Sequence, residues 1–232
     1  MSHYENAWQA ARARIADAAR AAGRSSNTIT LLAVSKTFRP AAVRSVYALG
    51  QRAFGENYVQ EAVEKGRALA DLPGLEWRLI GPLQGNKARA AAETFDWVES
   101  VDRLTIAQRL AAARPPARGA LNVLVQVNAS GEATKSGVAA DEAVGLARDV
   151  SRLPGLTLRG IMGIPAPTPD TDLQRRQFRV LRDCFDACRA AGLPVDTLSM
   201  GMSADLEIAI AEGATEVRVG TAIFGNRETL KA

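Results

Sequence analysis

The chain has 232 residues, 47% hydrophobic and 23% charged, enough for one large core and too apolar for a disordered chain. No apolar run approaches the ~20 residues that cross a bilayer. The net charge of +4 comes from 29 basic and 25 acidic residues spread along the sequence; this mild basicity suits an anionic small ligand and gives no sign of a nucleic-acid partner.

The N-terminal stretch repeats Trp8, Ile15 and Ala22 at seven-residue spacing and contains Glu5 and Asp17. This predicts an amphipathic helix, not a transit peptide. Strands are then predicted at 30–35, 52–55, 76–80, 96–99, 121–127, 157–161, 195–199 and 216–219. Helical patterns fill 40–50, 57–70, 86–94, 102–113, 140–152, 172–191 and 204–212. The helix at 172–191 lines up Leu173, Gln177, Leu181, Cys184 and Cys188 on one face. Arg175, Arg176, Arg179 and Arg182 occupy another, read as a solvated face and not a phosphate-backbone stripe. The two cysteines read as small core residues, since a metal site or disulfide framework needs more ligands.

Strand–helix alternation argues for parallel pairing through crossover helices. Eight strands favour a single (β/α)8 TIM barrel with an extra N-terminal helix, one domain over residues 1–232. An open doubly wound sheet is the alternative, but no Gly-x-Gly-x-x-Gly follows the first strand and no Walker loop occurs. Turns from helix to strand are plain Gly and Pro stops, such as Leu153-Pro154-Gly155-Leu156. Turns from strand to helix are rich in polar residues and glycine, on the face where barrel enzymes place their sites.

The one histidine, His3, sits at the N-terminus. A Ser–His–Asp triad, a histidine base in a pocket and a histidine-rich zinc site are therefore not expected. Lys36 ends the apolar strand Leu31-Leu32-Ala33-Val34. Desolvation there favours a neutral amine, which Schiff-base chemistry requires; the other reading is a lysine reaching solvent. Gly220-Thr221 follows the last strand and Ser203 the one before, where barrels bind phosphate. Ser203 also reads as the N-cap of the helix at 204–212, with Asp205 in its first turn. Barrel closure would make Lys36 and Gly220-Thr221 neighbours, an amine beside a phosphate loop. Arg218 should point to the same side as Gly220, opposite a ring edge or into an interior ion pair with a glutamate.

Five motifs then carry a resemblance. Ala33-Val34-Ser35-Lys36-Thr37, Gly55-Glu56-Asn57-Tyr58-Val59-Gln60-Glu61, Ile80-Gly81-Pro82-Leu83-Gln84-Gly85-Asn86-Lys87, Ser199-Met200-Gly201-Met202-Ser203 and Val217-Arg218-Val219-Gly220-Thr221-Ala222-Ile223-Phe224-Gly225 occur in this order. Together they resemble the pyridoxal phosphate homeostasis protein family, which is similar to the N-terminal barrel of alanine racemase. The resemblance implies pyridoxal phosphate held as an aldimine on Lys36. It also implies phosphate contacts at Ser203, Gly220 and Thr221, Arg218 facing the pyridine nitrogen, and Asn57 as a pocket residue. The chain departs from the family at Arg78, where a histidine is common, which puts any role of that histidine in doubt here.

A guanidinium donates only, so a ring nitrogen facing Arg218 stays unprotonated and the ring is a weaker electron sink. Two-base racemisation needs a second proton donor, which alanine racemase takes from a further domain that this chain does not contain. Tyr58 is the one tyrosine near the site, and packing at a helix start explains it as well. The expectation is a cytoplasmic, monomeric, non-enzymatic binder that buffers pyridoxal phosphate and supplies it to apo-enzymes, with neither membrane nor nucleic acid as partner. A weakly active pyridoxal phosphate-dependent racemase and a cofactor-free Schiff-base aldolase are the alternatives.

Overall fold

Parallel strands in a barrel bury both faces, one toward the helices and one toward the barrel axis. The computed structural model, which describes residues 3–132 and 135–225, meets this requirement around the whole ring. Strands β1 (Thr30–Val34), β2 (Ala53–Glu56), β3 (Glu76–Leu79), β4 (Trp97–Val101), β5 (Leu121–Val127), β6 (Leu156–Gly163), β7 (Thr197–Met202) and β8 (Glu216–Val219) pair in sequence order. All pairs are parallel, and β8 returns to β1 to close the barrel. The helices are α1 (His3–Ala21), α2 (Pro40–Ala48), α3 (Val59–Ala68), α4 (Ala88–Thr94), α5 (Leu104–Ala113), α6 (Ala143–Ser151), α7 (Thr171–Ala190), α8 (Leu206–Ala211) and α9 (Thr221–Phe224). The (β/α)8 barrel with an extra N-terminal helix is thus the observed fold.

The larger core lies between strands and helices, with Phe54, Phe95, Ile106, Leu110, Phe178 and Leu181 fully buried. The barrel interior is different. Trp97, Leu124 and Met162 form a small apolar cluster there. Beside it stand the buried polar residues Arg78, Glu99, Ser199, Glu216 and Arg218. Register explains the grouping. Leu32 pairs with Arg218, Gly55 with Arg78, and Arg78 with Trp97, so these side chains share one face of the sheet.

Helix α1 carries the predicted apolar stripe: Trp8 and Ile15 are buried, and Ala22 is partly buried just past the helix end. The indole of Trp8 donates to Gln51 Oε1 at 3.1 Å. On α7, Gln177, Leu181, Cys184 and Cys188 are buried as expected, but Leu173 is 39% exposed. It lies in the first turn, its N–H donating to the N-cap Asp170 at 3.0 Å. The α7 arginines are paired with carboxylates. Arg175 and Arg179 reach Glu212, Arg182 reaches Asp186, and Arg176 lies 3.9 Å from Asp170.

Three strands run further than periodicity indicates, β4 by two residues to Val101. Pro194 holds Val195 in a tight turn, its N–H donating to Leu193, so β7 starts only at Thr197. It then continues through Met200-Gly201-Met202, which pair with β8 across an irregularity. Strand β6 likewise extends to Gly163, opposite Val127. At the bulge between β5 and β6, Gly160 has φ +151°, and a Cβ there would lie 1.8 Å from the Thr197 carbonyl oxygen. Gly160→Ala is expected to cost about 3 kcal/mol, the upper end of an overpacking penalty, read from the denaturant midpoint.

Candidate functional site

The C-terminal ends of the strands enclose a cavity of about 470 Å³, within the usual range for small-molecule sites. Lys36, Asn57, Ser203, Arg218, Gly220 and Thr221 all line it. The six residues singled out in the sequence therefore meet in one place. Closure does this: Ala33 pairs with Val219, and a Cβ on Gly220 would lie 3.4 Å from both Cβ and O of Val34.

Lys36 is half-buried two residues past β1, and both its neighbours are pinned. Ser35 donates its N–H to the Gly55 carbonyl at 3.0 Å and its hydroxyl to Glu56 Oε1 at 2.5 Å. Thr37, held at φ +69°, donates its N–H to Glu61 Oε1 at 2.6 Å. A non-glycine residue in that region costs on the order of 1 kcal/mol and must be held there by its surroundings. The holder is Lys65 from α3, only 3% exposed. Its ammonium donates to the Ser35 carbonyl, Glu56 Oε1 and Glu61 Oε1, each at 2.7 Å. Burial pushes the Glu56 carboxyl up to about 7, against the opposing pull of Lys65 and the Ser35 hydroxyl.

Asn57 follows β2 directly, and Gly81 packs on its backbone. A Cβ on Gly81 would come within 2.3 Å of the Asn57 carbonyl oxygen, so only glycine fits there. Across the cavity, Ser203 Oγ accepts the Gly220 N–H at 3.3 Å. Ser203 does not cap α8, as the sequence indicates: that helix begins at Leu206 after Asp205. Asp205 instead turns back to accept the Met202 N–H at 2.5 Å. This tightens the turn and leaves Ser203 beside Gly220. Arg14 of α1 fixes the turn from outside, donating to the Ser203 carbonyl at 3.0 Å and to both carboxylate oxygens of Glu207.

Arg218 forms part of the cavity wall while only 3% exposed. Its Nη1 donates to Ser199 O and Ser199 Oγ, both at 2.9 Å, and its Nη2 to the Gly163 carbonyl at 2.8 Å. Burial lowers its pKa from the usual arginine value, countered by Glu99, Glu216 and Asp205. The glutamate pairing considered from sequence thus operates through space, while the direct partners are Ser199 and a carbonyl. Arg78 does not line the cavity; it lies inside the barrel against Glu76, Glu99 and Glu216 and stacks on Trp97 at 3.9 Å.

Sequence reasoning missed Ile80, Pro82, Gln126, Lys135, Ser136, Ile164 and Met202, all in the wall. Gln126 carried a usable signal, a polar residue on the same alternation as Asn122 within an apolar strand. Its amide donates to the Ser136 carbonyl at 3.3 Å. Met202 ends β7, and the others lie in the segments after the strands, which only folding brings together at the barrel mouth. Tyr58 is 61% exposed and absent from the wall.

An amine, two hydroxyls beside a glycine amide, and a guanidinium around one small cavity fit a ligand with an electrophilic carbon, an anionic group and a hydrogen-bond acceptor. Breaking a buried ion pair by removing one partner costs about 3 kcal/mol or more. Lys65→Met is expected to lose that much stability in chemical denaturation and to loosen the Lys36 segment. Glu56 gives a pH signature. Its carboxyl is raised on folding, so its contribution is complete below the unfolded value of about 4.5 and is lost as pH rises through about 7. Stability should fall over that window in the wild type, and the fall should be missing in Glu56→Gln.

Residues 8–228 match the alanine racemase N-terminal domain family. The chain is 56% identical over 216 residues to the pyridoxal phosphate homeostasis protein of Pseudomonas aeruginosa, covering 93% of this chain and 92% of that protein. It is 52% identical over 227 residues to the protein of the same name from Escherichia coli, covering 95% of each. The solved structure of PipY from Synechococcus elongatus with pyridoxal phosphate bound superposes with a TM-score of 0.78 at 40% identity, covering 85% of this chain and 93% of PipY. With the barrel, the ordered motifs and these relatives in agreement, the chain belongs to the pyridoxal phosphate homeostasis protein family, built on the alanine racemase N-terminal domain.

Proposed function

We propose that this protein binds pyridoxal phosphate reversibly at Lys36 and serves vitamin B6 homeostasis by holding the cofactor and releasing it to apo-enzymes. The observation that carries the reading is the meeting of Lys36 with Ser203, Gly220, Thr221 and Arg218 in one cavity. When bound, pyridoxal phosphate supplies an aldehyde that condenses with amines and a ring that takes up electrons. Lys36 offers the amine. The Ser203 and Thr221 hydroxyls and the Gly220 amide offer donors to the anion, with glycine allowing its close approach.

Arg218 orients the ring. A guanidinium has five N–H groups, and three are already engaged by Ser199 and Gly163. The remaining two can donate toward an acceptor above, and none can take a proton from it. This limits the electron demand that the ring can meet. Among the described residues, the ionisable side chains in the wall are Lys36, Lys135 and Arg218. No carboxyl, phenol or imidazole stands there as a second base, which favours holding over racemisation.

The exposed Ile164 and Met202 belong to the cavity wall, so the site reaches the surface, as exchange requires. We place the protein in the cytoplasm as a monomer. Among the described residues no helix is long and apolar enough to cross a membrane.

Protein loaded with pyridoxal phosphate should absorb in the near-visible range and lose that band in Lys36→Ala. A wild type that cannot be reconstituted would refute the reading, as would racemase turnover abolished by the same substitution. Ser203→Ala should weaken cofactor retention about tenfold, the cost of one hydrogen bond to a charged group, while the band persists. Unchanged retention, measured by equilibrium dialysis, would remove Ser203 from the phosphate site.

A further inference from the structure

Beneath the cavity floor lies a second constellation that phosphate and amine binding do not use. Glu99 of β4 and Glu216 of β8 are both fully buried in the barrel interior and converge on one atom, Arg78 Nη1, which bonds Glu216 Oε2 and lies 3.7 Å from Glu99 Oε1. Arg78, itself paired with Glu76, reaches them from β3, Ser199 bonds Glu99 from β7, and Arg218 acts on them from β8. From β5 and β6 the neighbours are the uncharged Leu124 and Met162 packed on Trp97.

The hydrogen bonds leave one gap on each carboxyl. Glu99 Oε2 accepts the Ser199 hydroxyl at 2.7 Å, and Glu216 Oε2 accepts Arg78 Nη1. Glu99 Oε1 and Glu216 Oε1 are both buried and have no donor. Arg78 Nη1 lies 3.7 Å from Glu99 Oε1, beyond hydrogen-bond range. Two like charges this close and this far from water cannot both be carried. A single proton removes the like-charge conflict and gives one of the two carboxyls a donor of its own.

We propose that Glu99 and Glu216 hold one proton between them, on Glu99, and that the neutral Glu99 is a positioning residue which fixes Arg218 through Ser199. The chain of contacts is continuous: Glu99 accepts from the Ser199 hydroxyl, and that hydroxyl oxygen accepts from Arg218 Nη1. Charge favours it as well. Arg78 is already met by Glu216 and Glu76, and Arg218 has Asp205 nearby, so an ionised Glu99 would add surplus negative charge under the guanidinium. Burial, with Glu216 next, raises the Glu99 carboxyl well above its usual range, in the same direction. The link to the ligand rests on the reading of Arg218 as the group facing the cofactor ring; the proton itself does not.

The proton is tested on the full chain without cofactor, at a pH above the Glu56 titration. Infrared spectroscopy should show the carbonyl band of a neutral carboxylic acid. It should vanish in Glu99→Gln and move in frequency in Glu216→Gln, where an amide replaces the accepting carboxylate. Absence of the band, its survival in Glu99→Gln or its constancy in Glu216→Gln would overturn the shared proton. Because glutamine reproduces both bonds of a neutral Glu99, Glu99→Gln should keep its thermal midpoint within about 2 °C at neutral pH. A large drop, or failure to fold, would mean that Glu99 is ionised. The link is tested with pyridoxal phosphate bound, by the nitrogen-15 resonance of its ring. That resonance should stay in place in Glu99→Gln and shift in Ser199→Ala. No shift in Ser199→Ala would overturn the positioning role while leaving the infrared result intact.

Discussion

The pairing of β8 with β1 is the constraint on which the site depends. Its register sets Leu32 opposite Arg218 and Ala33 opposite Val219. The segments that leave those two strands then emerge side by side, one carrying Lys36 and the other Gly220 and Thr221. Nearly two hundred residues separate them in sequence. An open sheet with the same strands would leave the amine and the anion cradle on opposite edges. Closure is therefore a functional requirement as well as a way to remove sheet edges.

Two buried charge clusters flank that seam, one on each side of the sheet. Outside, Lys65 ties together Ser35, Glu56 and Glu61 and so fixes the backbone on both sides of Lys36. Inside, Arg78, Glu99 and Glu216 surround the base of Arg218. Buried ion clusters contribute little net stability compared with well-packed apolar residues, because desolvation offsets the attraction. What they provide here is geometry. A lysine that must meet a small electrophile and a guanidinium that must meet a ring edge both need backbones that do not drift. Hydrogen bonds with two or three partners supply that rigidity where apolar packing does not.

Much of this was legible in the sequence, and the rest was hidden for identifiable reasons. Apolar runs bounded by glycine and proline located all eight strands, because parallel strands buried on both faces read as continuous hydrophobic segments. Lys36 and Gly220-Thr221 stood out because a charge and a glycine end such runs. Ser203 lines the cavity, where its place after β7 pointed, but the capping role also read from sequence is absent. The serine-plus-acid pattern reads as a helix cap, whereas Asp205 turns back to Met202 and the serine faces Gly220. The Lys65 cluster was invisible, since nothing local distinguishes a lysine on a helix from a solvated one. The same holds inside the barrel, where Arg78 and Glu216 are 138 positions apart and Ser199 and Glu99 are 100. Partners at such separations are set by topology, and a sequence read locally cannot pair them. Arg78 illustrates the point. Its departure from the family pattern left the role of the usual histidine in doubt, and the structure places it in the layer below the cavity, paired with Glu216.

The central claim is that one cavity holds pyridoxal phosphate between an amine on β1 and an anion cradle on β8. A crystal structure of this protein grown with pyridoxal phosphate tests it most directly. Density should run continuously from Lys36 Nζ to the ligand, with the phosphate against Ser203, Gly220 and Thr221 and the pyridine nitrogen toward Arg218. A ligand attached to another lysine, or a phosphate placed away from the β8 end, would contradict it.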